Sequence, residues 1–436
     1  MSATFLGGQV LLEENHDLPL IRVQLSLRAG AATDPDGKEG LCNFAAELLA
    51  RGAAGKNRAE LDAAFDALGS SLEISTDYDG TVFEVTVLKE KLDPVLALIA
   101  DVLLRPEFSE VEAEKLQREL VAQLDELRDD DGSLARRFLQ RSLYGAEHPY
   151  GRSVLGTESS IAHFDADSAR AWHRASLRSD SMIFGAAGAI SADEFERALT
   201  RHFSALPRVT ADNPSPAIAT PPDPKSPRGI HITLVDKPER TQSQIVIGEP
   251  APAWSDPSFA ALQVATCAFG GTFTARLMNE VRSKRGLSYG AGARLGFGRG
   301  RRALVMNVFP SLEQTAETVE LVLKLFHDWV KDGVTDEEVE FARGYLQRSF
   351  AFSIATPEDR LDLRAAYEIA GMPPDWLDQY VPRIGAVRPE EARRALREKL
   401  RPADLEVCIV TTAEKLLPLL RPLGHDHIDV VSYESY

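Results

Sequence analysis

The chain has 436 residues, 44% hydrophobic and 26% charged, with a net charge of −17. That length calls for two to three domains, and that composition excludes disordered and fibrous chains. The acidic balance repels phosphate backbones, so nucleic acid is not an expected partner.

Taken in chain order, Met1 to Val10 lacks both a basic n-region and an apolar h-region, so the chain as written reads as cytoplasmic. A periplasmic home is open to it if a leader has been removed. Val10 to His16 and Ile21 to Leu27 read as two strands joined by a polar turn. The stretch Gly40 to Gly52 follows, with Leu41, Phe44, Ala45, Leu48 and Leu49 in an apolar stripe of helical period. Asn43, Ala46 and Glu47 share another face of that helix. Thr81 to Leu88 alternates as a half-buried strand does. The apolar stretch Val95 to Leu104 contains Asp101 and is too short to span a membrane. Ser109 and Glu112 have the spacing of a capping box opening the next helix.

From Pro207 to Pro227, seven of 21 residues are proline, which excludes a helix interior or a central strand and marks a linker. The pattern then repeats. Ile232 to Pro238 and Gln244 to Ile247 read as paired strands, about 220 residues after their counterparts. Arg302 to Val308 alternates, and Thr335 with Glu338 forms a second candidate capping box. The expected architecture is an α+β protein of two homologous domains, 1–206 and 229–436, joined by a Pro-rich linker at 207–228.

The residues offer little metal or nucleophile chemistry. The cysteines Cys42, Cys267 and Cys408 are odd in number and far apart, against a disulfide framework or zinc knuckle. No two of the nine histidines stand at i, i+4 on a helix. His425 and His427 flank Asp426 and would share one side of a strand, but nothing nearby completes a ligand set. Gly286-Leu-Ser288-Tyr-Gly290 matches the G-x-S-x-G elbow, yet a helix precedes it and a strand follows, the reverse of a nucleophile elbow. Gly290, Gly292 and Gly296 lack dinucleotide-fingerprint spacing and mark instead a strand that another backbone approaches. From Arg282 to Arg302 there are seven basic residues and no acidic one, a stripe suited to acidic segments.

The helix Gly40-Leu-Cys-Asn-Phe-Ala-Ala-Glu-Leu-Leu-Ala-Arg-Gly52 resembles the zinc helix of the pitrilysin, or inverzincin, metallopeptidases, which reads roughly G-x-x-H-F-x-E-H-x-x-F-x-G. On that pattern the first zinc histidine falls on Asn43, the catalytic glutamate on Ala46 and the second histidine on Glu47. The downstream acidic ligand falls near Gln123 or Leu124. One oxygen from Glu47 is far short of the three protein ligands that tight zinc binding needs, so no metal is expected in this chain. The helix is then expected to be a surface or interface helix without chemistry.

The resemblance extends along nearly the whole chain. His148-Pro-Tyr-Gly151 and Leu155-Gly-Thr157 resemble a stretch that follows the family's zinc region. Phe269-Gly-Gly-Thr-Phe-Thr-Ala-Arg-Leu277, leading into Glu280 to Tyr289, resembles the C-terminal substrate-binding segment R-x-x-x-x-G-L-x-Y. There an arginine and a tyrosine seven residues apart reach the active site, and Arg282 and Tyr289 stand at that spacing. Both side chains donate hydrogen bonds and suit a developing oxyanion. Gly286 is expected to end the helix carrying Arg282, so that Tyr289 projects from the next strand.

The resemblance therefore implies a mitochondrial-processing-peptidase-like, non-catalytic subunit of a heterodimer. Zinc would sit in a partner that carries the H-x-x-E-H helix, and peptides would be cleaved in an enclosed chamber. The alternatives are a structural subunit, a peptide-binding homodimer, and a hydrolase acting through Ser288.

Overall fold

The computed structural model describes residues 3–208, 220–225, 228–425 and 427–435. Most of the proposed linker, at 209–219 and at 226 and 227, lies outside them. Two six-stranded mixed sheets organise the chain. By contact, one unit comprises Met1–Leu124, Ser153–Thr220 and Phe352–Leu377, and the other Asp125–Arg152, Pro221–Ala351 and Asp378–Tyr436.

In the first unit the strands are β1 (Ala3–Phe5), β2 (Gly8–Glu14), β3 (Leu20–Leu27), a two-residue hairpin β4 (Gly52–Ala53) and β5 (Lys56–Asn57), β6 (Glu73–Thr76), β7 (Thr81–Leu88) and β8 (Met182–Gly188). The sheet order is β1-β2-β8-β3-β7-β6, with β2 and β8 parallel and the other pairs antiparallel. Strand β7 alternates as its sequence predicts, turning Phe83, Val85 and Val87 inward. Against that face pack Leu41–Leu49 and Leu92–Leu104, along with Leu116, Leu120 and Trp172. The core is closed by rings such as Phe44 against Phe164, 5.3 Å between centres.

The second sheet repeats the plan. Its strands are β9 (Ile230–Asp236), β10 (Gln244–Pro250), β11 (Ser288–Leu295), β12 (Ala303–Pro310), β13 (Leu405–Thr411) and β14 (His427–Ser432). The order is β11-β12-β10-β13-β9-β14. Reading both sheets from the β6 and β11 edges, strand directions match through the first five positions. They part at the sixth: β1 is antiparallel to β2, whereas β14 is parallel to β9. The core here centres on Phe269, Phe326 and Trp329, with Phe269 stacked 4.4 Å from Trp329.

Two helices depart from contiguous halves. Asp131–Tyr144 packs on β10 and β13, and Pro357–Ile369 packs on β2, β3 and β8. Charge fixes both. Lys237, 5% exposed, donates to Asp131 Oδ1 at 2.6 Å and to the carbonyls of Arg128 and Asp129 at the start of the first helix. Glu13 on β2 holds Arg360 and Arg364, each at 2.8 Å, while Arg22 on β3 and Arg28 just after it reach Asp362 and Glu368. The Thr335–Glu338 capping box forms, at 3.1 and 2.9 Å. The Ser109 box does not: Glu112 accepts from Lys115 instead. No described helix is long and apolar enough to cross a membrane.

Candidate functional site

The helix Leu41–Leu49 begins where Asp34 caps it, its carboxylate accepting from the Gly40 N–H at 2.8 Å and the Cys42 N–H at 2.9 Å. The expectation of a surface helix is overturned. Cys42, Phe44, Ala45 and Ala46 are fully buried and Asn43 is 6% exposed, because the helix is wrapped into the core beside Ala166–Ser176. Asn43 Nδ2 donates to Glu47 Oε1 at 3.0 Å, across one helical turn. Burial pushes the Glu47 carboxyl above its ordinary range, with the Asn43 hydrogen bond and the Arg51 charge pulling it partly back.

Arg51, 8% exposed, makes a two-point pair with Glu119, which Arg58 also reaches at 3.3 Å. The Arg51 hydrogen bond holds the Glu119 carboxyl below its usual range. Neither downstream position offers a ligand: Leu124 is buried in the core, and Gln123 is exposed. The residues present do not fit zinc. Asn43 and Glu47 satisfy each other, Ala46 has no carboxylate, and the downstream position is either an exposed glutamine or a buried leucine. Among the described residues no group of three or more His, Cys, Asp or Glu is arranged to hold a metal.

The C-terminal constellation lies on a different kind of backbone. A short helix, Arg276–Met278, runs into a wider turn at Asn279–Ser283, which carries Arg282. Gly286 takes φ +64°, a left-handed turn that a side chain disfavours, and its N–H donates to the Arg282 carbonyl at 2.9 Å. Strand β11 then starts at Ser288 and projects Tyr289, 86% exposed. The guanidinium carbon of Arg282 sits 4.9 Å from the Tyr289 ring centre and 4.7 Å from that of Phe273, itself 66% exposed. Phe273 was not singled out by the sequence reading. An exposed phenylalanine between two threonines, just after Gly270-Gly271, was the available signal.

The basic stripe is mostly answered locally. Lys284 and Arg285 both pair with Glu280, which lies just before the stripe. Arg301 donates to the Pro250 and Ala251 carbonyls, and Arg302 lies over the Tyr150 ring at 4.6 Å. Ser288 is no nucleophile. It is 5% exposed and fills the bulge in β11, donating to the Gly290 carbonyl and accepting from the Phe309 N–H. The histidines do not converge either: His425 pairs with Glu320 at 2.7 Å, while His427 stacks on His231 at 4.8 Å. Asp426 lies outside the described residues.

The fold and this site define a duplicated metallopeptidase scaffold whose own metal position has been filled with structural contacts. The comparisons agree. Residues 9–158 match the model of the insulinase family, peptidase family M16, and residues 163–346 match that of the peptidase M16 inactive domain. The non-peptidase homolog YmxG of Helicobacter pylori is 23% identical over 407 residues, 93% of this chain and 92% of that protein. An uncharacterized zinc protease of Mycobacterium leprae is 27% identical over 352 residues, 79% of this chain and 76% of that one. The crystal structure of a peptidase M16 inactive domain from Pseudomonas fluorescens superposes with a TM-score of 0.84 at 25% identity, covering 94% of this chain and 97% of that one. The chain belongs to peptidase family M16, as a non-catalytic member without the family's zinc ligands.

Proposed function

We propose that this chain is the non-catalytic subunit of a heterodimeric zinc metallopeptidase. It supplies Arg282 and Tyr289 to the site of a partner that carries zinc on an H-x-x-E-H helix. In that site the guanidinium and phenol orient the peptide and donate to the oxyanion that develops at the scissile carbonyl. The zinc belongs to the partner and supplies the activated water there. Enclosure between the subunits restricts substrates to unfolded peptides.

One observation carries this reading. Arg282 has no carboxylate or hydrogen-bond partner among the described residues, although Lys284 and Arg285, two and three residues further on, are both paired with Glu280. A guanidinium with a purely structural task would be paired, as Arg51 and Arg276 are. The test is Arg282→Ala in the assembled complex. Turnover is expected to fall by about an order of magnitude or more, with the complex intact, as loss of an oxyanion donor does. Unchanged turnover removes the assigned role.

The second reading is a structural or peptide-binding homodimer. It is favoured by the full-length similarity to a relative named as a non-peptidase homolog. That reading needs no zinc-bearing partner, and co-purification separates the two.

A further inference from the structure

We propose that Phe273, Arg282 and Tyr289 form a carboxylate clamp, that its ligand is an acidic side chain of an extended peptide, and that Phe273 is the residue that positions the guanidinium. This rests on the reading that Arg282 and Tyr289 meet peptide, and adds the substrate class and a third member.

The argument starts from the guanidinium. It lies within 5 Å of two ring centres. A cation over an aromatic face is attracted by the ring's quadrupole. Two rings together restrain a side chain that is otherwise among the most mobile. Contact with the rings takes up none of the guanidinium's N–H groups in hydrogen bonds to the described residues, so they are open to acceptors. Among the described residues those N–H groups meet no carboxylate. The nearest in sequence, Glu280, is committed to Lys284 and Arg285, both at 2.5 Å. A planar fork with open donors matches a carboxylate through two parallel hydrogen bonds, whereas a neutral amide oxygen uses fewer of them.

The spacing of the rings is set by backbone. The turn at Cys267–Gly271 that leads to Phe273 is seated on β11, the strand that carries Tyr289. The seat is close: a Cβ on Gly270 would lie 2.5 Å from the Ala293 nitrogen. Phe273 and Tyr289 are thus held on two segments locked to each other, and Arg282 comes from a third. Large rings left 66% and 86% exposed at this one place fit a surface that a ligand covers.

The experiment uses the full chain alone, so it does not depend on finding a partner. Side-chain Nε–H resonances are followed by NMR while two capped peptides are titrated in, Ala-Ala-Glu-Ala-Ala and its Gln counterpart. The Arg282 resonance is expected to shift with both. The Glu peptide should bind about tenfold more tightly, as a charge-assisted pair does, and should weaken as salt rises. Phe273→Leu is expected to remove most of the Glu-over-Gln preference, and Phe273→Tyr to keep it. Equal binding of the two peptides by the native chain overturns the clamp, as does failure of either to bind. An unchanged preference in Phe273→Leu overturns the positioning role. If the peptides bind equally but Arg282→Ala loses both, the carboxylate inference fails and the underlying reading stands. If Arg282→Ala binds both as the native chain does, the underlying reading fails with it.

Discussion

The helix Leu41–Leu49 and the segment Arg276–Tyr289 carry the two arrays of residues to which the family resemblance assigns chemistry, and the two differ in how the fold holds them. On the helix, Asn43 is turned onto Glu47, and nearby Arg51 onto Glu119, with the surrounding side chains buried. On the later segment, Arg282 lies over two exposed rings, with no partner for its donors among the described residues. Burial without a ligand favours substitution toward self-satisfied polar groups, because an unpaired polar atom in a core is costly. A half-buried cation at the surface, its donors still within reach of solvent, is under less such pressure, and on the proposed reading its open donors serve an outside partner. The difference separates a site converted to structure from one kept available.

The largest expected effect sharpens that contrast. Arg282→Ala should lower the melting temperature only slightly, since this half-buried arginine loses two ring contacts but no ion pair. It should still remove most of the turnover of the assembled complex. Arg51→Ala should do the reverse. Losing the two-point pair, with Glu119 left to Arg58 alone, should cost about 1–2 kcal/mol, read as a lower denaturation midpoint, with peptide binding unaffected. If both variants behaved alike, the contrast between the two regions would collapse.

A harder attempt to break it is to rebuild the zinc helix. The triple variant Asn43→His, Ala46→Glu, Glu47→His restores H-x-x-E-H, but Leu124 still occupies the interior where a third ligand would be needed. After dialysis, elemental analysis should find well under one zinc per chain, because two histidines fall short of a tight site. Stoichiometric zinc would mean that the position was never converted to structure.

The smallest effect concerns a buried carboxylate outside both regions. Glu249, at the end of β10, accepts from the Arg401 N–H at 2.8 Å, while its other oxygen is buried without a partner. Burial raises its pKa to about 8. A carboxyl raised in the folded state contributes stability that is full below the ordinary carboxylate range and is lost as pH rises through about 8. Glu249→Gln should therefore flatten the fall in melting temperature between the ordinary carboxylate range and about pH 8. An equally steep fall in the variant would assign the pH dependence elsewhere.

Much of this molecule is readable from its residues. The alternation in Thr81–Leu88 and Ala303–Pro310 places the strands, and Gly286 marks the turn before Tyr289. The exchange of Asp131–Tyr144 and Pro357–Ile369 is not readable. An amphipathic helix displays an apolar stripe but does not say which of two similar sheets receives it. The burial of Leu41–Leu49 is missed because Asn43 and Glu47 read as surface residues until each is seen to be the other's partner. Phe273 is missed because stacking on a guanidinium depends on three segments that only the tertiary fold brings together.

The central claim is that this chain completes a zinc site carried by another subunit. The most direct measurement is affinity capture of the chain from its native lysate, with sequencing of what accompanies it and a peptidase assay of the eluate. The account predicts a stoichiometric partner of similar length bearing an intact H-x-x-E-H helix, and peptide cleavage that a chelator abolishes. Recovery of the chain alone or only with copies of itself, with no chelator-sensitive cleavage, would contradict it.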